Sequence, residues 1–348
     1  EAAARVRAVR TRELTRAAMS DLLGGVDPRG HAIADATDAA LLGALAIAGR
    51  EDAERWGAER ARVAFVAMGR YGGRECSYAS DADVIALHEA VGGASDSEAA
   101  ASATAIVNRV KKLLGSATSQ LGIVVDLDLR PEGKNGPMSR TIASHEEYAQ
   151  RWASTWERQA AVRARPIGDG ELAQAARSLF ESMAYRDVSE AEVRDIRLLK
   201  ARMENERLPR GTEPARHVKL GPGGLTDVEW TIQLIQMRHG REVEALRTSS
   251  TTDAIAAARD AGLLGASDAE ILLNAWDLAT RIRAGNTLAT GRMSGVKLDV
   301  VPRDSAELGA LAAILGYGSG GLTALEEDWL RAARQARDVM ERAFWEQQ

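Results

Sequence analysis

The sequence predicts an α+β chain: a small mixed sheet with surrounding helices, followed by an all-α helical bundle. Three observations point there. Short apolar runs without helical spacing crowd between residues 63 and 130, and helical periodicity dominates before and after them. Aromatic residues make up only 4% of a chain rich in Ala and Arg, which favours helices packed through small side chains over a sandwich of sheets. At 348 residues, with 45% hydrophobic and 27% charged, the chain is long enough for two packed units and is not disordered, collagen-like or disulfide-stapled.

Residues 1–58 read as a helical lead-in, with Leu14, Met19, Leu22 and Leu23 at helical spacing and a break expected at Gly24-Gly25 and Pro28. The apolar run 63–68 predicts a buried strand, and 84–88 a second one. Between them, residues 69–80 are too glycine-rich and polar for a core element and form a candidate functional loop. A mobile loop is expected over 91–98, a helix from about Ala99 to Leu121, and a third strand over 123–129. From about Thr141 helices are expected, punctuated by Pro166, Pro209-Arg210-Gly211 and Gly221-Pro222-Gly223-Gly224. After about residue 250 a bundle runs through Trp345, interrupted near Pro302 and around Gly316 to Gly321. The resulting division is a lead-in over 1–58, a catalytic domain over 59–240 and a C-terminal helical bundle over 241–348.

Net charge is −5, so no global basic surface favours a nucleic-acid partner. The single Cys76 cannot form an internal disulfide, and His88, His145, His217 and His239 lack ligand spacing for zinc. There is no run of about 18 apolar residues, and residues 1–7 have no apolar core of a signal peptide, so no membrane partner and a cytoplasmic location are expected. A chain that opens without Met, in the texture of a helix, also reads as a piece of something longer.

The chemistry concentrates in Gly72-Gly73, then Ser80-Asp81-Ala82-Asp83 entering a strand, then Asp126 on a later strand. Alternation puts Asp81 and Asp83 on one face, roughly 6–7 Å apart, where both reach one hard cation. Adjacent carboxylates repel unless a cation sits between them, and Asp126 supplies a third oxygen donor, so Asp81, Asp83 and Asp126 are the candidate catalytic and Mg²⁺-binding residues. Asp128 shares a strand face with Asp126 and has equal claim on spacing alone. Gly72, Gly73 and Ser80 would hold a triphosphate, since bare N–H groups at a helix start attract phosphate and a Cβ would obstruct it. Each piece alone is ordinary, and a lone Asp-x-Asp at a strand start is usually a solvated cap. Together, in this order, they are the signature of the nucleotidyltransferase superfamily, whose sheet is the DNA polymerase β-like mixed type.

The resemblance extends further. Residues 68–83, the stretch Val125-Asp126-Leu127-Asp128-Leu129-Arg130-Pro131-Glu132-Gly133-Lys134, then Trp156-Glu157-Arg158-Gln159-Ala160, then Lys219-Leu220-Gly221-Pro222-Gly223-Gly224-Leu225-Thr226-Asp227-Val228-Glu229-Trp230 closely resemble the bifunctional glutamine synthetase adenylyltransferase/adenylyl-removing enzymes. Four motifs stand in the right order over about 170 residues. Residues 245–252 and the helical ending look like the C-terminal, adenylylating half of that family, and the composition resembles actinobacterial versions. The resemblance implies ATP as substrate, a tyrosine hydroxyl of glutamine synthetase as acceptor, pyrophosphate as leaving group, and a PII-type signal protein and glutamine as regulators. It favours Asp126 over Asp128 as third ligand. The adenylyl-removing half, yielding ADP by phosphorolysis, is the alternative; a catalytically idle binding module is another.

Departing charge calls for cations. Arg130, Lys134 and Lys219 are the candidates near the phosphates, with Arg163 and Arg165 close in sequence; solvated helix faces and structural ion pairs are the competing account. Between Arg194 and Lys219 eight Lys/Arg stand against four acids. Asp227 and Glu229 read as first-turn acids complementing a helix dipole, with a supporting role beside Lys219 as the alternative. Trp152 and Trp156, one helical turn apart, read as core rather than an adenine clamp, and nothing near Cys76 makes it a nucleophile.

Overall fold

The computed structural model describes residues 2–23, 29–115, 122–318 and 321–346. The expected break at Gly24-Gly25 and Pro28, the helix end over 116–121 and the glycine-rich Ser319-Gly320 lie outside the described residues. The chain forms two compact units, one of residues 1–19, 27–76 and 80–184, the other of 20–26, 77–79 and 185–348.

In the first unit, α1 (Ala2–Leu22) and α2 (Arg29–Trp56) precede β1 (Ala61–Ala67), the single turn α3 (Gly69–Gly72) and β2 (Ala82–Ala90). Then come α4 (Asp96–Leu114), β3 (Val125–Asp126), β4 (Ser139–Arg140), α5 (Ile142–Arg151), α6 (Thr155–Ala161), β5 (Arg165–Pro166) and α7 (Glu171–Ala184). Strands are ordered β3-β2-β1-β5, with β4 also on β2. β1 and β2 run antiparallel from Ala61↔Ala90 to Ala67↔Val84, whereas β3 and β4 pair with β2 in parallel, so the sheet is mixed. β1 is buried at every position except Arg62, and α4 and α7 pack against both long strands. Coverage on both faces is why these strands read as continuous apolar runs rather than alternating ones.

The helix starts follow short-range chemistry. Ser95 with Glu98 and Ser154 with Glu157 form reciprocal capping boxes at α4 and α6. α2 is long and apolar enough, by length and composition, to cross a bilayer, contrary to the expectation that no such stretch exists. Ile33, Ala34, Ala40, Leu41 and Ala44 are buried along it, and α2 packs on α4, as a core helix does.

The second unit holds α8 (Glu190–Glu206), α9 (Leu225–His239), α10 (Thr251–Asp260), α11 (Ala266–Thr290), α12 (Ser305–Ile314) and α13 (Gly321–Met340). α11 packs against α9, α10, α12 and α13 around Leu272, Ala279, Ile282 and Trp329. Trp329 is fully buried, its Nε1–H donating to the Ala215 carbonyl at 2.8 Å.

Two expectations fail here. The third strand spans only Val125–Asp126, because Asp126 Oδ1 accepts the Asp128 N–H at 2.7 Å and the Arg130 N–H turns back to the Leu127 carbonyl at 3.1 Å. Trp152 and Trp156 are not core: they are 74% and 41% exposed. Trp152 caps the end of α5, and α6 buries Arg158, Gln159 and Ala161 instead of Trp156.

Candidate active site

The strand pairing brings the carboxylates together. Asp83 is the second residue of β2 and stands directly opposite Asp126 on parallel β3, so their side chains emerge on the same face of adjacent strands. Asp81 lies two residues earlier, just before β2 begins. Asp128 does not share that face: the chain has already turned, and Asp128 Oδ2 faces Lys134 Nζ at 3.3 Å.

The donors fit a hard divalent cation, being carboxylate oxygens without sulfur or imidazole. Register aligns Asp83 with Asp126, with Asp81 just ahead in the chain, but among the described residues no three His, Cys, Asp or Glu side chains already stand as a metal-holding group.

The glycine-rich loop is buried rather than open. Tyr71, Cys76, Ser77 and Tyr78 are at most 4% exposed. α3 begins at Gly69, whose φ of +54° suits glycine and whose hydrogen faces Asp83 Oδ2; a Cβ there would stand 3.4 Å from that oxygen. The N–H groups of Gly72 and Gly73 donate to the Met68 and Gly69 carbonyls at 2.8 and 3.1 Å, closing the turn, so in this structure they are not the bare donors expected for a triphosphate. Gly72 is glycine for another reason. A Cβ on it would meet the Arg163 carbonyl oxygen at 1.8 Å. Ser80 is half-buried beside Asp81.

The expected cations divide by role. Arg163 ion-pairs with buried Glu75 and donates from Nε to the Gly69 carbonyl at 3.2 Å. Arg165 grips Asp38 through two bonds of 2.7 and 3.0 Å and donates to the Gly72 carbonyl at 3.1 Å. Tyr71 O–H donates to the same Asp38 at 2.5 Å, and burial first, then the Asp38 charge, holds its pKa well above a free phenol's. These two arginines brace α3. Arg130 likewise is a strut, donating to the carbonyls of Leu127, Lys134 and Gly136 at 2.9, 3.1 and 3.2 Å. Lys134 is exposed, and Lys219 lies in the second unit, where its carbonyl accepts the Thr226 hydroxyl at 2.9 Å. Asp227 does stand in the first turn of α9, where Lys200 and Arg337 pair with its buried carboxylate.

Sequence reasoning missed Arg10, Asp38 and Glu75. Burial lowers the pKa of Arg10, and the charges of Cys76, Tyr71 and Asp81 act against that, which puts this guanidinium in the electrostatic field of the site. No spacing signal joins residues this far apart in sequence. Cys76 is inert as a nucleophile: burial, partly offset by Arg70, pushes its thiol up to about 12.

Comparison with known proteins assigns the chain to a family. The model of the glutamate-ammonia ligase adenylyltransferase family matches residues 1–179, more than half of the chain. The chain belongs to this family. A second model, GlnD PII-uridylyltransferase, matches residues 197–344, so the two matches meet close to where the units divide. Among adenylyltransferase-family relatives, a Streptomyces coelicolor protein is 43% identical over 99% of this chain and 36% of its own length. A Bifidobacterium longum subsp. infantis protein is 42% identical over 100% of the chain and 33% of its own length, and a Mycobacterium marinum protein 39% identical over 99% and 35%. All three are named bifunctional glutamine synthetase adenylyltransferase/adenylyl-removing enzyme. The chain thus spans about a third of the length of these relatives.

Proposed function

We propose that this chain transfers AMP from ATP to a tyrosine hydroxyl of glutamine synthetase, releasing pyrophosphate. One observation carries the reading: the parallel register that sets Asp83 beside Asp126, with Asp81 two residues earlier in the chain. The relatives' names support the acceptor, and their second named activity leaves the direction to experiment. Asp81, Asp83 and Asp126 would hold Mg²⁺, which when bound neutralises triphosphate charge and polarises the α-phosphate. Asp126 has a second task. Its Oδ1 is held by the Asp128 N–H, leaving Oδ2 to accept the proton of a phenol that is otherwise protonated at neutral pH. Ser80 beside the loop and the exposed Lys134 are proposed on the phosphate side, whereas the Gly72 and Gly73 N–H groups are spent on closing α3. Arg130 is withdrawn from direct contact because its guanidinium is spent on carbonyls. A PII-type signal protein and glutamine are proposed as regulators, the first supported by the family match over residues 197–344.

The test is incubation with α-labelled ATP, Mg²⁺ and glutamine synthetase. Label should move to the synthetase, and Asp81→Ala/Asp83→Ala should abolish it. Release of ADP from adenylylated synthetase and phosphate, without labelling, assigns the removing direction instead. Mg-ATP binding by calorimetry with neither reaction makes the chain a regulatory module.

A further inference from the structure

The cation-rich segment from Arg194 to Lys219 is sorted by the second unit into two groups. Arg197, Lys200 and Arg216 are bound inward: Arg197 Nε donates to the Phe344 carbonyl at 2.6 Å, Lys200 Nζ meets Asp227 at 2.5 Å, and Arg216 Nε donates to the Val301 carbonyl at 3.0 Å. Arg194, Arg202, Arg207 and Arg210 are exposed, and their side chains form no hydrogen bond or ion pair among the described residues. Of the segment's four acids, Glu204 pairs with Lys200 and Arg337 and Glu213 with Arg303; just before the segment, Glu190 pairs with Arg238 and Glu192 with Arg186. Asp195 and Glu206 are exposed beside the four outward arginines, so the outward balance is cationic on an otherwise acidic chain.

Arg194, Leu198 and Arg202 recur every four residues on α8, while Val193, Ile196 and Lys200 form its buried face. The three therefore make one outward stripe about 12 Å long. Leu198, at its centre, is 67% exposed. Guanidinium groups spread along a convex helix cannot converge on one phosphate group, but they match carboxylates spaced along a protein surface. An apolar side chain flanked by arginines is also the composition of an interface centre rather than of a nucleotide site.

We propose that the Arg194–Leu198–Arg202 stripe, extended by Arg207 and Arg210, docks an acidic protein surface that offers an apolar side chain to Leu198. Resting on the function proposed above, that partner is the protein substrate itself. The stripe then sets encounter and affinity for the protein and leaves ATP handling alone.

The test uses the full chain with glutamine synthetase as probe, in adenylylation kinetics and in direct binding by surface plasmon resonance at low and moderate salt. Arg194→Glu/Arg202→Glu and Leu198→Ser are compared with Arg50→Glu, an exposed arginine of α2 with no partner among the described residues. The stripe variants should raise KM for the synthetase about tenfold, weaken binding in parallel and reduce its salt dependence, with kcat and the KM for ATP unchanged. Arg50→Glu should do none of this. Wild-type KM and binding in both stripe variants overturn the proposal, as does stripe-dependent binding of a DNA duplex with none of the synthetase. A wild-type chain that transfers no AMP yet binds the synthetase through the stripe removes the activity and keeps the surface. Labelling by the stripe variants at wild-type KM does the reverse.

Discussion

Lys200 Nζ lies 2.5 Å from Asp227 Oδ1, and each side chain is 1% exposed. Asp227 Oδ2 accepts the Gly223 N–H at 2.7 Å and an Arg337 N–H at 3.1 Å, and Glu204 closes the network with bonds of 2.9 Å to Lys200 and 2.7 Å to Arg337. Burial works to discharge Arg337, but the Glu204 bond and the Asp227 charge outweigh it and hold its pKa above an ordinary guanidinium's. Lys200→Met removes one cation and leaves a buried carboxylate undercompensated. The expected loss is about 3–5 kcal/mol, read as a lower urea midpoint, because the remaining charge is stranded out of water. A midpoint within error of wild type would show that Arg337 alone neutralises the site.

Two motif glycines are fixed by close packing. At Gly223, φ is +70° and a Cβ would stand 1.8 Å from the Ala333 carbonyl oxygen, while at Gly72 it would stand equally close to that of Arg163. Backbone cannot step aside as a side-chain tip can. Gly72→Ala and Gly223→Ala should each cost more than about 4 kcal/mol or yield insoluble protein. Gly49 in α2 has nothing within 4 Å of its Cβ position, so Gly49→Ala should gain roughly 0.5–1 kcal/mol in the same urea titration.

These glycines show what the sequence could tell and what it could not. The strands at 61–67 and 82–90 were legible because burial on both faces leaves a continuous apolar run. The two-residue strands β4 and β5 were not, since such short pairings have no period to detect. Asp81, Asp83 and Asp126 stood out because carboxylates beside apolar strands need a reason. The loop glycines stood out too, yet the contact that makes Gly72 glycine is the backbone of Arg163, far away in sequence. The arginines misled for the same cause: charge alone does not say whether a guanidinium meets phosphate or, like Arg165, a distant carboxylate such as Asp38. Trp152 and Trp156 failed because they do not share a helix: α5 ends at Trp152 and α6 starts anew at Thr155, so their spacing defines no common face.

His145 gives stability a defined pH dependence. It is 2% exposed, edge-on to Phe180 with ring centroids 5.3 Å apart, and burial followed by the Arg140 charge pushes its pKa down to about 4. Below the ordinary histidine value of about 6.5 the unfolded chain takes up a proton that the folded chain refuses until about pH 4. Stability therefore falls as pH drops through that window and levels off beneath it. Moving from pH 7 to pH 5 should cost about 2 kcal/mol from this residue. His145→Phe should remove that share of the slope, leaving what His88, His217 and His239, all also lowered by burial, contribute. Urea unfolding at the two pH values checks it, and an unchanged slope in the variant would refute the assignment.

Arg130 and Lys134, paired in sequence as candidate phosphate contacts, should separate cleanly in experiment. The Arg130 guanidinium satisfies three carbonyls that close the loop from Leu127 to Gly136, immediately after Asp126. Arg130→Ala orphans those carbonyls and should cost about 2–3 kcal/mol of stability. Lys134 has an 80% exposed side chain that pairs with Asp128, itself half-exposed, an arrangement worth little to the fold. Lys134→Ala should therefore leave the urea midpoint within about 0.5 kcal/mol of wild type. If its ammonium meets the triphosphate, that variant raises the KM for ATP severalfold with stability intact, whereas Arg130→Ala lowers activity only together with stability. Arg130→Ala that retains its midpoint but loses ATP affinity would return the guanidinium to the phosphates and make its three carbonyl bonds a resting arrangement.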